Sequence, residues 1–177
     1  PDGTKSIDWH AFYQSQMTGI VIPKSVKSMG WGGGDYYSFE KAASLSDITV
    51  DAENPDYMSK DGILFNKLGN RLLYCPEGKM GTYHVPDSVV YIDSDAFYQG
   101  SLTEITVSDS VKYIGYDAFG LCRNLAKVTL SNRMTNISGG LFAGCSNLIK
   151  IEIPDCVTSI GAGAFQGCSS LEEITIP

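Results

Sequence analysis

Val157-Thr158-Ser159-Ile160-Gly161-Ala162-Gly163-Ala164-Phe165-Gln166-Gly167-Cys168-Ser169-Ser170-Leu171-Glu172-Glu173-Ile174-Thr175-Ile176 decides the fold, because each of its marks recurs upstream in phase. Phe142, Cys145, Leu148, Ile151 and Ile153 repeat them 23 residues earlier, and Phe119, Cys122, Leu125, Val128 and Leu130 repeat them 23 residues earlier again. Weaker copies continue outward. Val89 to Val107 holds Ile92, Phe97, Leu102 and Ile105 with one residue deleted, and Val26 to Val50 holds Met29, Phe39, Leu45 and Ile48 with a few inserted. Ile7, Phe12, Met17, Ile20 and Ile22 form the remnant of a first copy.

A period of 23 with an L-x-x-I-x-I strand lies within the leucine-rich-repeat range. In the pairs Ile20/Ile22, Ile48/Val50, Tyr83/Val85, Ile105/Val107, Val128/Leu130, Ile151/Ile153 and Ile174/Ile176, alternation sends both members inward and the residue between them outward. One coil has too few apolar side chains to fold alone, so stability comes from stacking on its neighbours. The expected fold is a leucine-rich-repeat solenoid, mostly β with an α+β flavour. About six to seven coils of ~23 residues carry a parallel strand ladder on one face. The V-x-x-I-G-x-x-A-F half predicts an extended step, a Gly-assisted turn and a short helical or 3₁₀ turn holding the Phe.

Two segments break the period within this single domain of residues 1–177. Residues 51–84 have no Phe copy; there Ile63 to Phe65 and Leu72 to Tyr74, separated by Asn66, Gly69 and Asn70, predict one inserted β-hairpin. Residues 31–37, Trp31-Gly32-Gly33-Gly34-Asp35-Tyr36-Tyr37, read as a loop insertion. The chain begins inside a turn step and stops at the end of a strand without a polar cap. That predicts a piece of a longer protein, or ends that pair with another copy.

Composition removes several functions. The chain is 43% hydrophobic and 19% charged, with a formal net charge of −7. It is too apolar for disorder and has no run long enough for a membrane helix. Its acidity disfavours nucleic acid as a partner. Only His10 and His84 could serve imidazole chemistry, and neither lies in a catalytic motif. Cys122, Cys145 and Cys168 occupy equivalent positions in successive coils rather than a zinc-type spacing, so they are read as buried packing residues; Cys75 and Cys156 lie outside that register. Asp93/Asp95 and Asp51/Glu53 do not follow a calcium-loop pattern. No metal, cofactor or catalytic residue is assigned.

The unit I-x-I-P-x-x-V-x-x-I-G-x-x-A-F-x-x-C-x-x-L, best seen from Ile153 to Leu171, resembles the BspA-like type of leucine-rich repeat, and Asn54-Pro55-x-Tyr57-x-Ser59-x-Asp61-Gly62-Ile63-Leu64-Phe65-Asn66-Lys67 is similar to the hairpin that interrupts many such arrays. The resemblance implies surface-exposed or secreted bacterial proteins, often from host-associated anaerobes, that adhere to host proteins or other cells. It supplies no catalytic residue to carry over. The expected function is therefore a noncatalytic protein-binding module, extracellular or at the cell surface.

Its candidate partner-binding residues are the outward strand positions Asp47, Thr49, His84, Glu104, Thr106, Lys127, Thr129, Lys150, Glu152, Glu173 and Thr175. A second candidate is Trp31, Tyr36 and Tyr37, whose aromatic rings could stack on a glycan. A third reading is a structural spacer.

Overall fold

Short alternating segments are too small to pair with themselves, so each strand finds its partner one coil away. The computed structural model describes residues 3–8, 10–32 and 36–177, with the side chains of residues 31, 32, 36 and 37 outside the description. The strands are β1 (Ser6–Ile7), β2 (Gly19–Ile22), β3 (Ser28–Met29), β4 (Trp31–Gly32), β5 (Tyr36–Tyr37) and β6 (Asp47–Val50). Next come β7 (Tyr57–Lys60), β8 (Ile63–Asn66), β9 (Arg71–Tyr74), β10 (Gly81–His84), β11 (Tyr91–Ile92) and β12 (Leu102–Thr106). The last are β13 (Tyr113–Ile114), β14 (Lys127–Thr129), β15 (Asn136–Ile137), β16 (Lys150–Glu152), β17 (Ser159–Ile160) and β18 (Glu173–Thr175).

The first ladder is parallel, as alternation demands: β2 pairs β6, and β10, β12, β14, β16 and β18 form a five-stranded sheet. It is split where β6 meets the inserted segment. There the Ile48 N–H donates to the Gly62 carbonyl at 3.0 Å instead of to another strand. Gly62 has φ +74°, and an added Cβ would lie 2.7 Å from Asp47 Oδ1, so this position needs glycine.

The V-x-x-I steps make a second parallel ladder: β1 with β3, then β9, β11 and β13, then β15 with β17. The expected hairpin is present as β8 against β9, and it gains a third strand, β7, antiparallel to β8. β8 is buried on both faces: Ile63 and Phe65 enter the core of the C-terminal coils, while Leu64 enters that of the N-terminal coils. The hairpin is thus a wall between two cores.

One expectation is corrected. The turn holding each Phe is neither α nor 3₁₀, because the residues two before and two after the Phe are left-handed: Asp95 and Gln99 around Phe97, Asp117 and Leu121 around Phe119, Gly140 and Gly144 around Phe142. A helix needs every residue right-handed. The alternation instead turns every second N–H toward the next coil, as in Asp95 to Tyr116 O at 3.0 Å, Phe97 to Ala118 O at 2.8 Å and Gln99 to Gly120 O at 2.9 Å. The intervening N–H groups of Tyr98 and Gly100 close onto Asp95 and Phe97 within their own turn. This face therefore links the coils as the ladders do.

Inside, aromatic rings form a column. Phe97, Phe119, Phe142 and Phe165 follow one another with centroids 5.2, 5.5 and 5.4 Å apart. Tyr83 precedes Phe97 at 6.1 Å, and Phe12, Phe39 and Tyr74 continue on the other side of the hairpin. Cys122 Sγ donates to the Phe97 carbonyl, Cys145 Sγ to that of Phe119 and Cys168 Sγ to that of Phe142, at 2.9, 3.0 and 3.1 Å. Each thiol thus occupies a donor position between coils, and burial pushes that of Cys122 up to about 12.

Candidate functional site

Alternation along each short strand fixes which side chains the first ladder shows. In β14 and β16 the central Val128 and Ile151 are buried and their neighbours exposed. Pairing then sets those neighbours in columns about 4.8 Å apart. One column runs Thr82, Glu104, Lys127, Lys150 and Glu173, and the other contains His84, Thr106 and Thr129 and, in the following coils, Glu152 and Thr175. Asp47 and Thr49 stand on β6, in the separate two-stranded block beyond the Gly62 turn. The expected continuous face is therefore two faces with the hairpin between them, because Asp61 and Gly62 fill the place of a strand. Within the smaller block, Thr49 Oγ1 donates to Asp47 Oδ2 at 3.1 Å.

Charges of the larger face are paired along a column, Lys127 with Glu104, and along a strand, Lys150 with Glu152. Lys127 Nζ lies 2.7 Å from Glu104 Oε1, and Lys150 Nζ 3.3 Å from Glu152 Oε1. Such exposed pairs contribute at most about 1 kcal/mol each. Lys127 and Lys150 are register partners, an unfavourable juxtaposition of like charge that the flanking acids moderate.

The ladder also opens at this point. Val85 donates to Thr106 O and Val107 to Thr129 O, yet no corresponding bond joins Leu130 to Glu152 among the described residues. An open depression of about 720 Å³ lies there, lined by Lys127, Thr129, Leu130, Ile149, Lys150 and Glu152 among others. A second of about 350 Å³ continues it along Lys150, Glu152, Glu173 and Thr175. The exposed apolar side chain of the first depression is Ile149, 56% exposed, which sequence reasoning passed over. The available signal was an aliphatic residue where the neighbouring coils carry Ala126 and Glu172.

The aromatic insertion folds back as a ribbon, β4 antiparallel to β5 with Trp31 opposite Tyr37. Residues 33–35 and the directions of the Trp31, Tyr36 and Tyr37 side chains lie outside the described part. His10 is half-buried in the first turn, with Nε2 2.8 Å from Glu40 Oε2. Among the described residues no group of three His, Cys, Asp or Glu is arranged to hold a metal ion, and no helix is long and apolar enough to cross a membrane.

A family model described as the BspA type leucine rich repeat region matches residues 1–61 and 66–177, in six copies. A leucine rich cell surface protein from Faecalibacterium prausnitzii A2-165 is 33% identical with a TM-score of 0.86, over 100% of this chain and 46% of that one. The pneumococcal vaccine antigen PcpA is 27% identical with a TM-score of 0.87, over 98% of this chain and 42% of PcpA. A leucine-rich repeat protein from Bacteroides capillosus is 26% identical with a TM-score of 0.62, over 69% of this chain and 99% of that one. The chain thus spans less than half the length of the first two. No curated protein matches it.

Proposed function

The chain belongs to the BspA-type leucine-rich repeat family, and from that membership we propose that it is a noncatalytic protein-binding module of a bacterial cell-surface or secreted protein, of the adhesion or host-interaction type. The family supports a repeat scaffold for protein interaction. The names of the cell surface protein from F. prausnitzii and of the pneumococcal antigen support the compartment.

The observation that carries the reading is the opening in the first ladder. Rigid strands there present Lys127, Lys150 and Glu152 around an apolar contact, Ile149, in a depression with room for partner side chains. A polar rim around an apolar centre is the anatomy of a protein interface. The partner is a protein with a projecting apolar side chain flanked by an acidic group.

The test is a pull-down from extracellular-matrix extract with this chain and with the variant Glu104→Ala, Lys127→Ala, Lys150→Ala, Glu152→Ala. A partner retained by the first and lost by the second, with unchanged thermal unfolding, supports the assignment. Capture of the same partner by both removes this face from consideration, and capture by neither favours the spacer or the glycan reading of Trp31, Tyr36 and Tyr37.

A further inference from the structure

The second ladder also has an outward face, and its composition differs from that of the chain. The two variable positions of each V-x-x-I step, taken coil by coil, are Lys5/Ser6, Lys27/Ser28, Asn70/Arg71, Val90/Tyr91, Lys112/Tyr113, Thr135/Asn136 and Thr158/Ser159. Four of these are cations and none is an acid, in a chain with 20 acids and 13 bases. Pairing holds the second positions in three blocks: Ser6 beside Ser28; Arg71, Tyr91 and Tyr113 in succession, with the hairpin strands β8 and β7 on the other side of Arg71; and Asn136 beside Ser159.

Exposure and pairing make this face available. Tyr91 is 48% and Tyr113 39% exposed, next to each other in register. Lys5, Lys27 and Lys112 are exposed, and no carboxylate pairs with them among the described residues. Lys5 and Lys27 lie in adjacent coils, where the Lys27 N–H donates to the Lys5 carbonyl at 2.8 Å, so two like charges stand side by side with no acid in their column. Arg71 alone is partly engaged, its Nε lying 2.5 Å from Asp93 Oδ1.

We propose that this face is a second binding surface, for an anionic polysaccharide. Exposed tyrosine rings stack on the apolar faces of sugars and offer a phenol to their hydroxyls. The serine, asparagine and threonine side chains beside them suit further hydroxyls. The lysines meet carboxylate or sulfate groups carried at intervals along the polymer. An acidic peptide would satisfy the lysines equally, but it would also want aliphatic anchor sites, and Val90 is the one aliphatic residue in these columns. Charge complementarity supplies the attraction, since these columns are positive although the chain as a whole is negative.

The test is binding of the intact chain to immobilised heparin, a sulfated polysaccharide, with competition by dextran and by polyglutamate. Three variants accompany it: Lys5→Ala/Lys27→Ala/Lys112→Ala, Tyr91→Ala/Tyr113→Ala, and Lys127→Ala/Lys150→Ala on the first ladder. All change exposed side chains, and thermal unfolding checks that each is folded. The lysine variant is expected to weaken binding about tenfold, the tyrosine variant by a comparable factor of roughly ten, and the first-ladder variant by less than about twofold. Added salt should weaken the wild type and leave the lysine variant less affected. Absence of heparin binding, or equal loss in the first-ladder variant, would overturn the proposal. Dextran competing as well as heparin would show that charge is irrelevant, and polyglutamate competing as well would make the occupant an acidic peptide; either result overturns it.

Discussion

Asn54 exposes nothing to solvent and yet uses its whole amide. Its Nδ2 donates to the carbonyls of Pro23 and Val26 at 2.9 and 3.0 Å, and its Oδ1 accepts from the N–H groups of Asp56 and Tyr57 at 2.9 and 2.8 Å. One side chain therefore joins the turn after β2 to the entry of the hairpin. Replacing it by Ala strands four backbone groups, two of them in buried bonds and two in part-buried ones, and Asn54→Ala is expected to cost about 3 kcal/mol in urea unfolding; a cost below roughly 1 kcal/mol would mean that water takes over these bonds. The opposite case is Tyr83, 5% exposed, whose buried hydroxyl has no hydrogen-bond partner among the described residues. Burial pushes its phenol pKa above the ordinary value. Tyr83→Phe keeps the ring against Phe97 and removes the stranded hydroxyl, so stability should rise by about 1 kcal/mol. A measured loss would reveal a partner for that oxygen.

The Phe phase and the alternating apolar pairs made the coils and the first ladder legible in the sequence, because a repeated position is a repeated environment. The turn geometry was not legible, because the left-handed positions carry ordinary residues such as Gln99 and Leu121, and glycine marks them only in the later coils, at Gly140, Gly144, Gly163 and Gly167. Alternation gave no sign of β7, because Tyr57-Met58-Ser59-Lys60 does not alternate cleanly; only the hairpin resemblance over 54–67 covered it. The tyrosine and lysine columns of the second ladder were missed because V-x-x-I reads as a step rather than a strand. On the first ladder the outward positions were legible from alternation, but the break at Gly62 depends on how a non-repeating hairpin packs.

That hairpin's exit carries an ionisable element. Lys41 holds the position two after Phe39, whose N–H elsewhere meets the next coil's backbone; here it donates to Glu77 Oε1 at 2.8 Å. Burial pushes the Glu77 carboxyl up to about 7, against the Lys41 N–H, with Glu40 adding to the rise and the Lys41 charge opposing it. Tyr74 also faces it from β9, and a depression of about 330 Å³ lined by Gln99, Ser101 and Arg123 gives it an opening to solvent. The unfolded chain releases this proton near 4.5 and the folded chain near 7, so between those values the folded state binds more protons and stability falls as pH rises. With partial access to solvent the loss is on the order of 1–2 kcal/mol. Thermal unfolding should show a higher Tm at pH 5 than at pH 8, and Glu77→Gln should flatten the difference. An identical pH profile in the variant would place the effect elsewhere, Asp93 being the other carboxyl raised by burial.

For the whole molecule, the decisive fact is that one hairpin divides the apolar interior. Ile63, Phe65 and Leu72 belong to the core that runs from Tyr83 to Ala164, and Leu64, Leu73 and Tyr74 to the core that runs from Ile7 to Val50. In a solenoid each coil is stabilised by its neighbours alone, so destabilisation spreads only as far as the interfaces transmit it. Phe119, fully buried between Phe97 and Phe142, tests this. Phe119→Ala should cost about 3–4 kcal/mol in the coils around it. Native-state hydrogen exchange is then expected to show that loss in the amides of residues 85–153, and a clearly smaller one in residues 19–50, because the wall at β8 and β9 is packed from its other side by Phe39, Leu45 and Ile48. A uniform loss across both regions would mean that the hairpin couples the two cores into one cooperative unit. In that case a ligand on either ladder would stabilise the entire array rather than its own half.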